Sequence, residues 1–165
     1  MAIWKAQRTL LIVGEGFDEV AFLTHIKRLY VSRGCGLSVT IKNARGKGAR
    51  HVIEWAGRQM VSADFDVTAV LLDTDTDWSS VVESRAKKKR IQVLKSEPCF
   101  EAMMLRLLGE TPVNDAKELK KQFAPFVNND ALNPENYMTH FDRERLQIGR
   151  THEPVINTLL KLFDA

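Results

Sequence analysis

The chain has 165 residues, enough for one domain or for one domain with a helical appendage. Apolar residues make up 44% and charged residues 27%, which excludes disordered and collagen-like classes, and two cysteines exclude a disulfide framework. The net charge of +3 is segregated, with bases packed into Arg85–Arg90 and Lys42–Arg50 and acids alternating at Asp73, Asp75 and Asp77, a pattern that suits a polyanionic partner around an acidic centre and equally suits solvated helix faces.

In chain order, Thr9 to Val13 is β-branched and aliphatic and stops at Gly14, the pattern of a buried strand. Phe17 to Arg33 has helical apolar spacing at Val20, Phe22, Leu23, Ile26, Leu29 and Tyr30. Asp18 and Glu19 suit its N-terminal dipole, and Gly34 is the expected stop. Leu37 to Ile41 alternates like a strand, Gly46-Lys47-Gly48 breaks the chain, and Ala49 to Val61 is a second helix. Val52, Ile53, Ala56 and Met60 share one face of that helix, with Trp55 at its flank. Asp66 to Leu72 is a third strand, ending in Asp73-Thr74-Asp75-Thr76-Asp77. Trp78 to Lys89 is an increasingly basic helix with Asp77 as its expected N-cap, and Ile91 to Leu94 a fourth strand. Ser96-Glu97-Pro98 opens a helix through Leu108, with Ser96 as cap and Pro98 near the first position. Beyond Gly109 the expected elements are helices over 114–124, 135–141 and 153–163, around a polar loop at Asn128–Pro134.

Strands that alternate with helices imply an α/β fold with a mostly parallel four-stranded sheet flanked by helices. Residues 1–110 form the expected core and residues 111–165 a helical C-terminal extension packed on it. No apolar run approaches the ~20 residues that span a bilayer. Gly14-Glu15-Gly16 interrupts the first apolar run before it could serve as a signal peptide, so a cytoplasmic protein without membrane contact is expected.

In a parallel sheet the C-terminal strand ends share one edge, where such folds place their sites. Glu15 follows the first strand and Asp73-x-Asp75 the third, so three carboxylates far apart in sequence are candidates to meet there. Bare carboxylates repel one another, and a divalent cation removes that conflict. Mg²⁺ or Mn²⁺ on Asp73 and Asp75 would polarise a phosphate, with Glu15 as a third ligand or a general base. The plainer alternative is an acidic loop capping the next helix, and for Asp77 that reading is preferred. Rival motifs fit poorly. Gly14-x-Gly16 lacks the third glycine of a dinucleotide fingerprint, which is Glu19 here, and Glu15 would sit where pyrophosphate belongs. Gly46-Lys47-Gly48 is not a Walker A loop. Asp-x-Asp after a strand also partly resembles haloacid-dehalogenase-type phosphatases, but Asp77 stands where Thr or Val is expected.

Together, Val13-Gly14-Glu15-Gly16-Phe17-Asp18-Glu19, Leu71-Leu72-Asp73-Thr74-Asp75 and Ser96-Glu97-Pro98-Cys99-Phe100-Glu101 resemble the motifs of the topoisomerase–primase (TOPRIM) domain. The third is similar to the Ser-Asn-Pro-Cys-Phe-Glu signature of RloB-like proteins, which are related to the overcoming-lysogenization-defect (OLD) nucleases. The resemblance spans roughly residues 8 to 110, and Glu97 stands where the family has Asn. It implies a TOPRIM-like, Rossmann-like fold, Asp73 and Asp75 as metal ligands, Glu15 as acid/base or ligand, and Glu101 near the same site, able to hold a second metal. It implies contact of Ser96 with metal or phosphate, and Gly16, beside Glu15, is counted with the phosphate-binding positions. An ATPase of the OLD kind would be a separate subunit, and topoisomerase and primase activities are not expected.

Lys42, Arg45, Lys47 and Arg50 lie near the expected catalytic edge, as substrate-phosphate contacts or as solvated bases. The Arg85–Arg90 run points away from that edge. Cys99 reads as a small packing residue, although a helix N-terminus can lower a thiol pKa. His25, His51, His140 and His152 have no metal-ligand spacing. Trp4 and Trp55 read as packing residues, while Trp78, next to the acids, is left open as a stacking platform. The expectation is a Mg²⁺- or Mn²⁺-dependent phosphodiester hydrolase, a nuclease acting on DNA or RNA. The alternatives are a non-catalytic nucleic-acid-binding or ATPase-partner module, and a small phosphatase with Asp73 as nucleophile.

Overall fold

The computed structural model describes residues 7–165, so the expectation for Trp4 lies outside the described residues. Strands β1 (Arg8–Gly14), β2 (Leu37–Asn43), β3 (Val67–Asp73) and β4 (Ile91–Ser96) form one sheet in the order β2-β1-β3-β4, with every pairing parallel. Helices α1 (Phe17–Tyr30), α2 (Gly48–Ser62) and α3 (Ser80–Lys88) are the crossovers, and α4 (Phe100–Leu107) follows β4. The chain crosses over β1 between β2 and β3, so the order switches direction between β1 and β3. In open parallel sheets, ligands bind at the carboxyl ends of strands at such a switch.

The two-residue period of the strands divides the core into two layers. Leu10, Ile12, Ala69, Leu71 and Leu94 pack with α1, α4 and the C-terminal helices. Leu11, Val13, Val70, Leu72 and Ile91 pack on the other face with α2 and α3. Leu10 to Val13 are fully buried, as inner strands covered on both faces require, and each such side chain stabilises the fold by about 1.5–3 kcal/mol. On α2, Val52, Ile53 and Ala56 are buried, while Met60 and Trp55 pack half-buried at the margin.

The extension carries α5 (Ala116–Phe123), α6 (Arg143–Gly149) and α7 (Pro154–Leu162), and it shares one core with the sheet. Phe22 of α1 meets Phe100 of α4 at 6.0 Å, and it meets Tyr137 and Phe141 of the extension at 5.8 and 6.3 Å. His25 closes this seam. Its Nε2 donates to the Phe141 carbonyl at 2.7 Å, and burial lowers its pKa, which favours the neutral ring. Arg106 of α4 grips both oxygens of Glu153, the residue before α7, at 3.0 Å each.

Several boundaries differ from the sequence expectation. Helix α1 ends at Tyr30, where Val31 turns extended, and Gly34 (φ +84°) bends the loop only afterwards. Helix α3 is capped by Ser79, whose hydroxyl accepts from the Val82 amide at 3.3 Å. Asp77 is no cap, because it sits in the left-handed region (φ 60°) against Gly48. Gly48 itself has φ +85°, and a Cβ there would lie 3.1 Å from the Asp77 Cβ. Helix α4 starts at Phe100 with Cys99 as N-cap, because the Pro98 carbonyl is engaged elsewhere and Ser96 still belongs to β4. Residues 135–141 hold only a short 3-10 turn, Pro134–Tyr137. Helix α6, absent from the expectation, is capped by the Asp142 carboxylate on the Arg145 amide at 2.9 Å. Among the described residues no helix is long and apolar enough to cross a membrane.

Candidate functional site

Glu15 continues β1 past Gly14, and its amide donates to the Leu71 carbonyl of β3 at 3.0 Å. Its side chain turns toward the same strand, where Oε2 accepts the Asp73 amide at 2.8 Å. The loop after β3 is held from its other side. The Thr74 and Asp75 amides both donate to the Pro98 carbonyl, at 3.1 and 3.0 Å, and Thr74 also reaches the Ser96 carbonyl at 3.2 Å. The Ser-Glu-Pro segment therefore fixes the Asp-x-Asp turn through backbone contacts.

Glu19 enters from α1. It is the third residue of that helix, where a carboxylate bends back to the free amides of the first turn. Its Oε2 accepts the Gly16 amide at 3.2 Å. The approach needs Gly14, since a Cβ there would stand 3.0 Å from Val20 Cγ2 and 3.1 Å from Glu19 Cβ. One carboxylate oxygen each from Glu15, Glu19 and Asp73 lie within 4.8 Å of one another. Glu19 is only 6% exposed, and Asp73 Oδ1 is buried without any hydrogen-bond partner among the described residues.

These acids form the floor of a cavity of about 480 Å³ at the carboxyl edge of the sheet. Asp18, Asp75 and the buried Glu101 stand around it, and Lys47 and Lys120 bring positive charge to it. Burial, then the charges of Glu19, Glu15, Asp75 and Glu101, push the Asp73 carboxyl up to about 9. Burial, with added repulsion from Asp18, Glu15 and Glu101, pushes Glu19 up to about 8. Glu15 is raised mainly by burial and by Asp75, against the lowering effect of the Asp73 amide. Asp18 is also raised, by burial and then by Glu101, while Lys120 opposes the shift. Such a cluster holds either protons or a cation. Its donors are hard oxygens, the set that Mg²⁺ and Mn²⁺ take.

Of the residues singled out in the sequence, Glu15, Asp73, Asp75, Glu101 and Lys47 line this cavity. Asp75 is exposed on its wall and lies outside the tight trio, and Glu101 stands beside the trio on α4. Ser96 is placed differently from the expectation. It is wholly buried, its hydroxyl donates to Met103 Sδ at 3.4 Å, and it does not line the cavity. Lys42 is also directed elsewhere, to Gln59 Oε1 at 2.8 Å. Arg45 and Arg50 are exposed and outside the cavity lining, and Gly16 contributes its amide to Glu19. In the basic run, Arg85 and Lys89 face Glu54 of α2 at 3.0 and 3.8 Å. Trp78 packs half-buried with Lys95 over its ring at 5.6 Å. The Cys99 thiol is buried and pushed up to about 11 by that burial, the opposite of activation.

Three charged lining residues were not expected at the site from the sequence: Asp18, Glu19 and Lys120. Glu19 carried a signal, since it follows Glu15 by four residues at the start of the helix that β1 feeds, but a first-turn acid also reads as a dipole partner. Lys120 comes from α5 in the extension, and no local pattern marks it.

No family model, curated protein or solved structure matches the chain. Fold and site together define an α/β protein with a parallel sheet and a partly buried carboxylate trio at its switch point.

Proposed function

We propose that the chain is a divalent-metal-dependent phosphodiester hydrolase of the TOPRIM type, acting on DNA or RNA. The observation that carries this reading is the trio Glu15, Glu19 and Asp73, with a buried Asp73 oxygen that no group among the described residues satisfies. A buried acceptor without a partner costs about 1–3 kcal/mol, more when charged. A hard cation is the ligand that offsets that cost and relieves the repulsion. Glu15, Glu19 and Asp73 would hold it, with Asp75 and Glu101 within the same cavity. Mg²⁺ or Mn²⁺, when bound, supplies Lewis-acid polarisation of the phosphate and stabilises the charge that develops on its oxygens.

The chain's own groups do the rest. One Glu15 oxygen is held by the Asp73 amide, and the other is left to orient a water and accept its proton. The raised pKa of Glu15 makes it the stronger base for that step. Lys47 and Lys120 stand at the cavity to bind the phosphate backbone, which is how bases position a nucleic acid without reading its sequence. Carboxylates at 8 to 9 are largely protonated at neutral pH without a cation, which disfavours Asp73 as a phosphatase nucleophile.

The test is cleavage of plasmid DNA, single-stranded DNA and structured RNA with Mg²⁺, Mn²⁺ or EDTA, beside Glu15→Gln and the double variant Asp73→Asn/Asp75→Asn. Metal-dependent cleavage that disappears in both variants supports the hydrolase. Full cleavage by the double variant, or none by the wild type under any ion, rejects it and turns the search to a binding role or an ATPase partner.

A further inference from the structure

A second cavity, of about 460 Å³, adjoins the acidic one and shares Asp75, Cys99 and Ala116 with it. Its lining is moderately more apolar and carries fewer charged residues than that of the acidic cavity. On one side are the carboxylate trio, Lys47 and Lys120. On the other, Pro98, Ala102, Val113 and Leu119 present carbon surface between α4, α5 and the segment that joins them. Phosphate is a poor occupant of this second cleft. Asp75 and Asp115 stand at it as negative charges, and the Asp115 carboxylate is already committed to capping the Glu118 amide at 3.0 Å. Arg106, the base in its lining, is held through two nitrogens by Glu153, so its charge is neutralised there. What suits this lining is a neutral group with apolar surface and a polar edge. Asn114, whose side-chain amide both donates and accepts, stands at the cleft to meet such an edge.

Resting on the hydrolase reading above, we propose that this cleft seats the unpaired base of the nucleotide beside the scissile phosphate, so that the substrate is single-stranded nucleic acid and not intact duplex. The two cavities then divide one nucleotide between them. Phosphate goes to the side that holds the bases and the metal-binding acids, and the nucleobase goes to the carbon-lined side. A base reaches such a cleft only when it is out of its stack, because a paired and stacked base shows no free face. Apolar contacts of this kind tolerate every base, so the site discriminates strand state more than sequence.

The experiment measures binding to the wild-type chain in Ca²⁺ with three fluorescent ligands: a mixed-sequence single strand, the same backbone made abasic throughout, and the matching duplex. DNA and RNA versions are run in parallel. The intact single strand is expected to bind at least tenfold tighter than the other two, in one sugar series or in both. Val113→Glu, at a position 42% exposed and therefore tolerant of substitution, is expected to erase that preference, and Asn114→Ala to weaken it. Equal binding of intact and abasic strands, duplex bound as tightly as single strand, no binding at all, or a preference that survives Val113→Glu would each overturn the proposal. The two readings fail separately. Metal-dependent cleavage with indifferent binding keeps the hydrolase and removes the base seat, whereas a base-dependent preference without cleavage does the reverse.

Discussion

Glu15 and Asp73 lie 58 residues apart in sequence, yet the Asp73 amide donates to Glu15 Oε2 at 2.8 Å. Parallel pairing of β1 with β3 places Gly14 opposite Leu71, so Glu15, just beyond β1, meets Asp73, the last residue of β3, at the switch point. The hydrogen bond fixes the Glu15 carboxylate without involving the Asp73 side chain, whose Oδ1 has no partner among the described residues. Asp73→Asn should therefore separate function from stability. It keeps the shape and the backbone contact while it removes the carboxylate that must ionise to hold a cation. Cleavage is expected to fall on the order of 10²–10³-fold, the loss typical when one electrostatic contact to a transition state is removed. The metal-free melting temperature at pH 8 is expected to hold or rise, and the rise produced by Mg²⁺ to disappear. Scanning calorimetry with and without Mg²⁺ checks both, and a wild-type-sized Mg²⁺ shift in the variant would count against Asp73 as a ligand.

The same crowding sets a pH dependence. Asp73 and Glu19 bind protons more tightly in the folded chain, with values pushed to about 9 and about 8, than in the unfolded chain, where carboxylates titrate near 4. Between those limits the folded state holds the extra protons, so the stability from these groups is complete below about pH 4 and is lost as pH rises toward 9. The metal-free protein is expected to melt progressively lower from pH 5 to pH 9, by about 2–4 °C for each kcal/mol lost at this chain length. Millimolar Mg²⁺ should flatten that slope, because the cation takes the place of the protons, and its own affinity should fall as pH drops. Melting curves across this range, in EDTA and in Mg²⁺, are the measurement. A metal-free profile that rises with pH would contradict the buried trio.

Much of this architecture is legible in the residues themselves. Short apolar runs such as Leu10–Val13 and Ala69–Leu72, bounded by Gly14 and Asp73, read as strands covered on both faces, and their alternation with amphipathic segments yields the parallel sheet. Parallel connection then brings Glu15 and Asp73 to one edge without any knowledge of side-chain contacts. The features that stayed hidden have a common origin in tertiary context. Glu19 looks like an ordinary first-turn acid, and only the approach over Gly14 turns it into a cluster member. Ser96 looks like a cap before Pro98, but β4 runs two residues further and buries it against Met103. Lys120 belongs to a helix whose docking on α4 no local pattern reveals. Helix α6 is only seven residues long, too short for its period to stand out.

Gly14 is the hinge of that tertiary argument, and Gly14→Ala should show it. The added methyl would press on Val20 and Glu19 at 3.0–3.1 Å and lift the start of α1 away from β1. Overpacking of this kind costs about 1–3 kcal/mol. Since Glu19 moves with the helix, Mg²⁺ affinity is expected to weaken more than melting temperature alone predicts. Calorimetric Mg²⁺ titration beside thermal unfolding separates the two, and unchanged Mg²⁺ affinity would remove Glu19 from the binding set.

Gly149→Ala is the contrasting case, remote from the acids. Helical glycine replaced by alanine usually gains about 1 kcal/mol from propensity. Here the new Cβ would lie 1.9 Å from Leu107 Cδ1 and 3.1 Å from the Leu107 carbonyl, and Leu107 is fully buried with no room to yield. Steric cost should win, giving a net loss of about 1–3 kcal/mol and separating α6 from α4. Mg²⁺ affinity should stay at the wild-type level, because the damage falls on the seam between extension and core. A stabilised variant in urea unfolding would show that this seam repacks freely.

Lys120 offers the most direct link between the extension and catalysis. If it binds backbone phosphate at the acidic cavity, its loss removes one counterion-releasing contact. Lys120→Ala should weaken single-strand binding similarly for all sequences and reduce the slope of log K against log salt by about 0.7. Lys117 is the comparison, since it sits on the same helix, is exposed and lies outside the cavity lining. Lys117→Ala should leave the slope unchanged. Equal slopes for both variants would mean that general surface charge, and not a placed lysine, draws the strand to the site.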